Sequence, residues 1–549
     1  SVDQANLQVN GNSVINSTDK TTEIPFNFTV NTNNRTGYTA ILSSETENTA
    51  LTNAGSAVGA KIDSISTNLT LNNLPNNTWG YKFGSSSSYA PIPALSTPAQ
   101  IIQTAGKTNG NESNQLNIGM KLADNLESGN YTNKLILSFV SNPYTMRAVM
   151  TNGPDFNARV GNLDPNPTYF SGSGWSMPTK EHIKSFKRST VAPDNSVTTI
   201  NIEDPDLSDY EIKAWYNAVD QSVYYYAPIS TTYLNPNSKG MFQWFTKMET
   251  IDLAGFDTSE VTSMNTMFYT MNSLKSIDVS GFNTSNVTDM YAMFDQTGVI
   301  EQLNVSNFDT SNVTDMKWMF FGLNKLKKLN LTNFDTSKVT NMYGMFDAMT
   351  DVSEIKFGTN FNTRNVTNMG RMFSRTSSIQ QLDLSHFNTV SVTAMNDMFS
   401  LMTSLTQINF GANFDTSNVT DMTGMFYQST SLVNLDLSHF NTRKVKSMIS
   451  MFSQMSGLTI LDISNFETPS LENAGSMFAI DPGFSDNLEK IYVNQDFDTS
   501  KLTSSTNAFI RRNRLRGGNG SYLSDPSTAD KTWFRVDRPG VQGYFTRKS

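Results

Sequence analysis

One phrase of sequence recurs ten times in the second half of this 549-residue chain, and it constrains the fold more than any other feature. Each copy begins with Phe, an acidic or amide residue and Thr, and runs through a short polar stretch to Met-Phe or a close variant. The clearest copy is FNTSNVTDMYAMF, from Phe282 to Phe294. The first Phe returns every 26 or 27 residues until a final interval of 31, at Phe256, Phe282, Phe308, Phe334, Phe361, Phe387, Phe414, Phe440, Phe466 and Phe497. A fixed period of this length is typical of a repeat solenoid.

The segment between one Met-Phe and the next Phe follows the pattern L-x-x-L-x-L-x-x-F, as in Leu274, Ile277, Val279 and Phe282. Its alternating apolar residues predict one short strand per repeat. Leucine-rich repeats have Asn or Cys where this chain has Phe. Because buried backbone groups at that turn still need partners, we expect the hydroxyl of the Thr that follows each Phe by two residues to replace the Asn side chain.

The second half of each copy carries apolar residues at helical spacing, as in Val287, Met290, Met293 and Phe294. This spacing predicts a short helical segment with one buried face. Stacked repeats must bury the same face, and Met fills irregular gaps, so we interpret the Met column as core. A promiscuous binding groove or copper ligation is the alternative.

The composition is that of an exported protein without disulfide bonds. The chain has no Cys, a formal charge of −9, and no apolar run long enough to span a membrane. The acidic balance argues against nucleic acid as a partner. Because the sequence starts at Ser1 without a signal peptide, we expect a mature or trimmed ectodomain whose export signal and membrane or cell-wall anchor lie outside it.

Residues 1–147 alternate apolar and polar side chains in short runs separated by Asn, Gly and Ser turns, for example at Glu23–Val30 and Tyr131–Val140. This pattern predicts an immunoglobulin-like β-sandwich of seven to nine strands, acting as a spacer or an adhesive module. The whole chain is thus expected to be mainly β. An internal Lys–Asn isopeptide bond is a further possibility for which the sequence names no residues.

The rest of the chain divides into four segments. We expect a lead-in or linker over residues 148–205, with a polar helix after Pro178, and an aromatic N-terminal solenoid cap over 206–250. The solenoid proper is predicted over 251–509 and a C-terminal cap over 510–549.

Three segments in this order carry a family resemblance: the entry AWYN...YYYA...YLNPNSKGMF, the repeat LDLSHFNT...VTDMTGMF, and the exit GGNGSYL...DKTWFRVDRPGVQGYFT. From about residue 180 to its end the chain resembles the BspA-like leucine-rich-repeat surface proteins of bacteria. The resemblance implies an extracellular, cell-surface protein with a right-handed solenoid that binds fibronectin, fibrinogen or other cells. Family members share no binding motif, so no residue is carried over by position.

One candidate binding surface is the residue between the two inward apolar side chains of each strand, which is expected to face solvent. This column forms an acidic and amide ladder that could meet a basic protein patch or calcium, with a solvated polar face as the alternative. Its members proposed for binding are Asp252, Asp278, Asn304, Asn330, Asp383 and Asp436.

A second candidate lies where the third copy departs from the others. Trp318 occupies a position that holds Thr266, Ala292, Gly344 and Gly424 elsewhere, so packing does not require it. An exposed Trp beside basic residues is typical of a binding hot spot, and chance variation between copies is the alternative. The set comprises Lys317, Trp318, Phe321, Lys325, Lys327 and Lys328. For a second basic cluster, Arg511, Arg512, Arg514 and Arg516, we expect either contact with acidic glycans or neutralisation of the cap.

The sequence does not favour an enzyme. It has three His, two of them (His386 and His439) in the same repeat slot, and lacks G-x-S-x-G, H-E-x-x-H and P-loop motifs. We predict no catalytic residues, metal site or cofactor. Two hypotheses remain: an adhesin whose solenoid binds a host matrix protein, glycan or neighbouring cell, and a structural surface-layer or stalk component.

Overall fold

The structure is a computed structural model that describes residues 2–167, 169–172, 175–178 and 180–549. For 169–172 and 175–178 only the backbone is described. The chain forms two compact units, Ser1–Thr145 and Met146–Ser549. The prediction of a mainly β chain is confirmed. Among the described residues, neither α-helix has the length and apolar character needed to cross a membrane.

The first unit has nine strands, a short α-helix, α1 (Gly11–Ile15), and a 3-10 helix at Leu71–Asn73. The strands are β1 (Thr21–Val30), β2 (Tyr38–Ser44), β3 (Leu51–Asn53), β4 (Lys61–Ser64), β5 (Thr78–Phe83), β6 (Ala99–Gln103), β7 (Glu112–Lys121), β8 (Tyr131–Thr132) and β9 (Leu135–Ser141). One sheet has the order β1-β7-β5-β4-β3-β8 and the other β6-β2-β9. Both contribute to one core, with Phe28 and Leu116 from the first and Leu42 from the second.

The second unit begins with β10 (Ala148–Val149) and α2 (Gly153–Gly161). The strands that precede the repeats are β11 (Tyr169–Gly172), β12 (Trp175–Pro178), β13 (Ser185–Arg188), β14 (Ile200–Asn201), β15 (Lys213–Asn217), β16 (Ser222–Tyr226) and β17 (Thr232–Tyr233). Within the repeats lie β18 (Thr250–Ile251), β19 (Phe256–Asp257), β20 (Lys328–Leu331), β21 (Glu354–Phe357), β22 (Gln381–Asp383), β23 (Gln407–Asn409), β24 (Ile460–Asp462) and β25 (Lys490–Val493). Two 3-10 helices, Pro526–Thr528 and Lys531–Trp533, precede the last strand, β26 (Phe545–Arg547).

The prediction that 148–205 is a linker is wrong. Phe156 on α2 and Phe186 on β13 are fully buried in the same core as the repeats, and their rings pack at 5.4 Å. β13 also pairs in parallel with β16 and β18, where a helix after Pro178 was expected. The segment folds because its apolar side chains cover the open end of the first repeat. Thr168, Ser173, Gly174 and Thr179 of the predicted linker lie outside the described residues.

The repeats stack in register through parallel bridges between equivalent residues. The bridges join Asn237, Ser263, Asp289, Asp315, Asn341, Asn368, Ala394, Asp421, Ser447, Asn473 and Ser504 in succession. On the strand side the ladder is less regular: β20 pairs with β21, β22 with β23, and β24 with β25. We call this part of the chain the repeat stack.

The Met-Phe segments are not helical, which corrects the prediction of a short helical segment in each repeat. Their N–H groups donate to the following repeat: Met290 to the carbonyl of Asp315 at 3.2 Å, and Phe294 to that of Met319 at 3.0 Å. The segment also contains left-handed residues, with φ of 50° at Ala292 and 57° at Gln296. In an α-helix each N–H would bond within its own segment, so bonding between repeats excludes the helix.

The apolar columns fill the interior of the repeat stack. The Met-Phe rings lie parallel to their neighbours, as for Phe294 and Phe320, whose centroids are 5.9 Å apart at 4°. The Met column is fully buried, as expected for core. Its members are Met264, Met290, Met316, Met342, Met369, Met395, Met422 and Met448.

The Thr after each leading Phe forms the predicted backbone contacts. The Oγ1 of Thr310 donates to the carbonyl of Asp335 and accepts its N–H, both at 2.9 Å. Eight of the nine Thr-to-next-repeat contacts have both bonds; at Thr336 only the hydroxyl-to-carbonyl bond is formed. The prediction that the Thr hydroxyl satisfies buried backbone groups is therefore confirmed.

The first row of the repeat stack has carbonyls with no preceding repeat, and side chains satisfy them. Asn157 Nδ2 donates to the carbonyls of Met241 and Gln243 at 3.2 and 2.9 Å. Lys180 Nζ donates to Gln243 at 3.0 Å and to Asn157 Oδ1 at 2.5 Å. Burial lowers the pKa of Lys180 to about 7. These two residues thus close the hydrogen-bond ladder at its N-terminal end.

Two arginines of the basic cluster at Arg511–Arg516 stabilise the C-terminal end of the fold. Arg512 is buried, and its guanidinium donates to the carbonyl of Phe478 at 2.5 Å and to Asp486 at 3.1 Å. Arg514 pairs with Glu489. On the strand side, β26 adds to β25 in parallel and covers the edge of the last repeat.

Replacing Thr310 with Val should lower the stability of the repeat stack by about 1–3 kcal/mol, because the N–H and carbonyl of Asp335 lose their partner. Urea unfolding followed by circular dichroism measures the change. Thr314→Val is the matched control, since Thr314 is exposed and its hydroxyl makes one bond, to the carbonyl of Thr288 at 3.2 Å. Equal losses in the two variants would contradict a special role for the inner Thr.

Candidate functional site

The strand-column residues lie at the surface, but each uses a side-chain oxygen within its own turn. Asp278 Oδ1 accepts the N–H of Ser280 at 2.9 Å, and Asp383 Oδ1 accepts that of Ser385 at 3.0 Å. The same contact is made by Asp252, Asn304, Asn330 and Asp436. Hydrogen bonds from Ser280 also lower the pKa of Asp278. The column is therefore a series of Asx turns that shape the stack, and a partner would meet only the remaining oxygens.

The structure divides the candidate residues of the third copy into two groups. Lys317, Trp318 and Phe321 come together on the Met-Phe side of the stack. Lys325, Lys327 and Lys328 follow on the way to β20 and are exposed. Lys327 is paired there with Asp351 at 2.8 Å. The six residues do not form one patch.

Trp318 is half-buried rather than exposed, because aromatic neighbours from adjacent repeats pack around it. Its ring centroid lies 6.0 Å from that of Tyr291 and 5.9 Å from that of Tyr343. The Lys317 ammonium sits 4.6 Å from the Trp318 ring and 5.3 Å from the Tyr343 ring. We call Tyr291, Lys317, Trp318, Phe321 and Tyr343 the Trp318 cluster. Such a set of aromatic and cationic groups is typical of protein-binding hot spots.

Trp318 lies at a left-handed position of its repeat. Its φ is 56°, a left-handed conformation that costs a non-glycine residue roughly 1–2 kcal/mol. The ring also needs Gly344 in the next repeat, where a Cβ would lie 2.3 Å from Trp318 Cδ1. Two other copies hold Gly at the equivalent position, Gly344 and Gly424. The equivalent residues of other copies, such as Thr266 and Ala292, are also left-handed, so the third copy is distinguished by the Trp318 ring and not by its backbone.

Two buried carboxylates flank the Trp318 cluster, and sequence reasoning missed both. Asp347 is fully buried and lies 3.0 Å from Arg371 Nε and 2.8 Å from Arg375 Nε. Asp295 occupies the same position two repeats earlier, and its buried Oδ1 has no hydrogen-bond partner among the described residues. The signal was present in the sequence, since the other eight copies hold an uncharged residue (Ser, Tyr, Phe, Ala or Ile) at this position.

The environment of Asp295 favours its neutral form. Burial, helped by the negative charge of Asp347, raises the pKa of Asp295 to about 8. Gln296 opposes this shift with a hydrogen bond. Burial raises the pKa values of Tyr269 and Tyr291, and the nearby Asp295 carboxyl adds to both shifts. Burial also raises the pKa of Asp347, although Arg375 and Arg371 act to lower it. Burial thus favours the protonated form of Asp295 on the Met-Phe side of the stack.

No group of three or more His, Asp or Glu side chains in the described part of the chain is arranged to hold a metal ion.

Comparison with protein families places the repeats in a known group. Three overlapping segments, residues 237–355, 314–411 and 402–516, match a family described as Mycoplasma protein of unknown function, DUF285. Together they span more than half of the chain. The chain belongs to the DUF285 family. No curated protein and no solved structure matches it. The Trp318 cluster, Asp295 and Asp347 all lie within the DUF285 segments.

The pKa of Asp295 sets the sign of a pH effect. The folded state keeps a proton that the unfolded chain loses near pH 4, so the Asp295 contribution to stability falls as pH rises from about 4 to about 8. Asp295→Asn removes this effect. The thermal midpoint of the variant relative to the natural protein should therefore rise steadily over that window.

The measurement is differential scanning fluorimetry at several pH values. Asp278→Asn is the matched control, because Asp278 is exposed and its position holds Asn304 and Asn330 in other copies. Its midpoint should stay within a degree or two of the natural protein at neutral pH. A pH-independent effect of Asp295→Asn would show that the carboxyl is ionised throughout.

Proposed function

We propose that this chain is a non-enzymatic bacterial cell-surface adhesin that binds an extracellular protein or glycan through its repeats. In this proposal the first unit is an immunoglobulin-like sandwich acting as a spacer. The repeat stack is a leucine-rich-repeat solenoid related to the BspA-like surface proteins. The bridge between equivalent residues of successive repeats supports the solenoid, and the two-sheet core of the first unit supports the sandwich.

The observation that carries the proposal is the Trp318 cluster. A stack built from repeated columns needs no Trp at a left-handed position, yet Trp318 is held there among Tyr291, Tyr343 and Lys317. Half-buried aromatic rings beside cations offer a partner large contact area and little conformational freedom to lose. The strand column contributes less, because its carboxylates are engaged in turns.

The alternative is a structural surface-layer or stalk component. The uninterrupted parallel ladder from Asn237 to Ser504 favours it, since such a stack projects a surface without needing a ligand. The capped first row opposes growth by stacking, because Asn157 and Lys180 already satisfy its free carbonyls. We therefore rank adhesion above assembly.

Immobilised fibronectin, fibrinogen and a glycan array, probed with the whole chain, test the proposal. We expect saturable binding to one ligand that Trp318→Gly weakens roughly tenfold or more, equivalent to about 1.4 kcal/mol. Gly suits the backbone at φ of 56°, so this variant separates loss of contact from loss of fold.

Tyr427→Ser is the matched control. It removes an aromatic side chain from the same side of the stack, at a position where other copies hold Ser374 and Ser400. Its binding should equal that of the natural protein. Absence of binding to every ligand, together with ordered self-assembly, would favour the structural alternative and overturn the adhesin.

A further inference from the structure

Asp295 and Asp347 occupy equivalent places in the repeat stack. The ladder fixes this equivalence: Gln296 donates its N–H to the carbonyl of Phe321 at 2.8 Å, and Gly322 donates to that of Asp347 at 2.9 Å. The two carboxyls therefore stand in one column with Phe321 between them. Both are buried, with Asp295 only 3% exposed.

Asp347 shows how this position is neutralised within the chain. Arg375 comes from the next repeat, and its Nε bonds to Asp347 Oδ1 at 2.8 Å. Its guanidinium carbon lies 5.6 Å from the ring centroid of Phe321, one repeat before Asp347. Arg371 adds a second cation at 3.0 Å. A guanidinium thus meets the buried carboxyl and the aromatic ring beside it.

Asp295 lacks both cations, and its carboxyl has a hydrogen bond from the Gln296 side chain where Asp347 is followed by Ala348. The positions equivalent to Arg371 and Arg375 hold Trp318 and Gly322, and the ring equivalent to Phe321 is Tyr269. Gly322 leaves space, since a Cβ there would have Gln296 Cγ as its nearest atom at 3.4 Å. Oδ1 of Asp295 consequently lacks the donor that Asp347 Oδ1 receives.

We propose that Asp295 receives the guanidinium of an arginine on a partner protein, which enters over Gly322 beside Trp318. The inference rests on the adhesin function proposed above and names the partner chemistry. In this arrangement the guanidinium lies against Tyr269 as that of Arg375 lies against Phe321. Arginine suits the site better than lysine because its planar group stacks on a ring while its charge stabilises the ionised form of Asp295, which burial alone disfavours. The formal charge of −9 also attracts a basic segment.

A substitution within the chain tests the site without a partner. Gly322→Arg supplies the missing guanidinium, and the backbone permits it because Arg375 has a φ of 58° and Gly322 one of 71°. We expect the variant to have a higher thermal midpoint, with a gain that is larger at pH 8 than at pH 5. Gln428→Arg is the control, since it has the same left-handed conformation but faces Ser400 in place of an acid. Equal behaviour of the two variants would overturn the proposal.

Paired peptides test recognition directly. Peptides of repeated Gly-Arg-Gly and matched peptides with citrulline or lysine in place of arginine are titrated onto the whole chain by calorimetry. The arginine peptide should bind at least tenfold more tightly than either of the others, and Asp295→Asn and Gly322→Arg should each abolish the preference. Similar affinities for all three peptides, or an unchanged preference in Asp295→Asn, would overturn the inference.

The same variants separate this inference from the adhesin proposal. If a ligand from the array binds and Trp318→Gly weakens it while Asp295→Asn and Gly322→Arg do not, the adhesin stands and the arginine site fails. If no array ligand binds but the peptide preference depends on Asp295, the site stands and the proposed ligand classes fail.

Discussion

Hydrogen bonding between successive repeats is the constraint on which the second unit depends. Along the Met-Phe segment alternate N–H groups, such as those of Met290, Ala292 and Phe294, bond to carbonyls one repeat further on. Inside the stack the constant Thr, for example Thr310, adds a donor and an acceptor to the same interface. Each repeat supplies hydrogen-bond partners to its neighbour, so the backbone groups at the two ends of the stack need partners from elsewhere. The side chains of Asn157, Lys180 and Arg512 provide them.

The candidate site lies where the side chains differ between copies while the backbone hydrogen bonds between repeats continue. Backbone bonding tolerates any side chain at the left-handed positions, so Trp318, Gly322 and Arg375 all occur there with φ between 56° and 71°. The variable side chains lie next to one another in columns, and a change in one repeat alters the surroundings of the next. Asp347 is neutralised by Arg375, whereas Asp295 faces Gly322.

Much of the repeat architecture could be predicted from the sequence. The Met column was predicted to be core because stacked repeats must bury identical faces, and the constant Thr was predicted to satisfy buried backbone groups. The Met column is buried, and so are nine of the ten Thr side chains, from Thr258 to Thr468. The helix in the Met-Phe segment was predicted from spacing alone and is wrong. Apolar residues at i, i+3 and i+4 also fit successive turns with left-handed residues, as at Ala292 and Gln296, and the sequence pattern cannot show where the N–H groups bond. The interpretation as a leucine-rich repeat stays a prediction.

The sequence by itself determined the period, the buried columns and the position of Trp318, because each follows from comparing one copy with the next. Only the tertiary structure decided which of these residues meet. Trp318 joins Tyr291 and Tyr343 from the two neighbouring repeats, while Lys325, Lys327 and Lys328 from its own copy lie elsewhere. Residues 26 positions apart in sequence become neighbours in the stack, whereas residues within one turn diverge to different sides. Stacking of the repeats therefore determines which side chains meet at the site, and a local sequence pattern does not show these contacts.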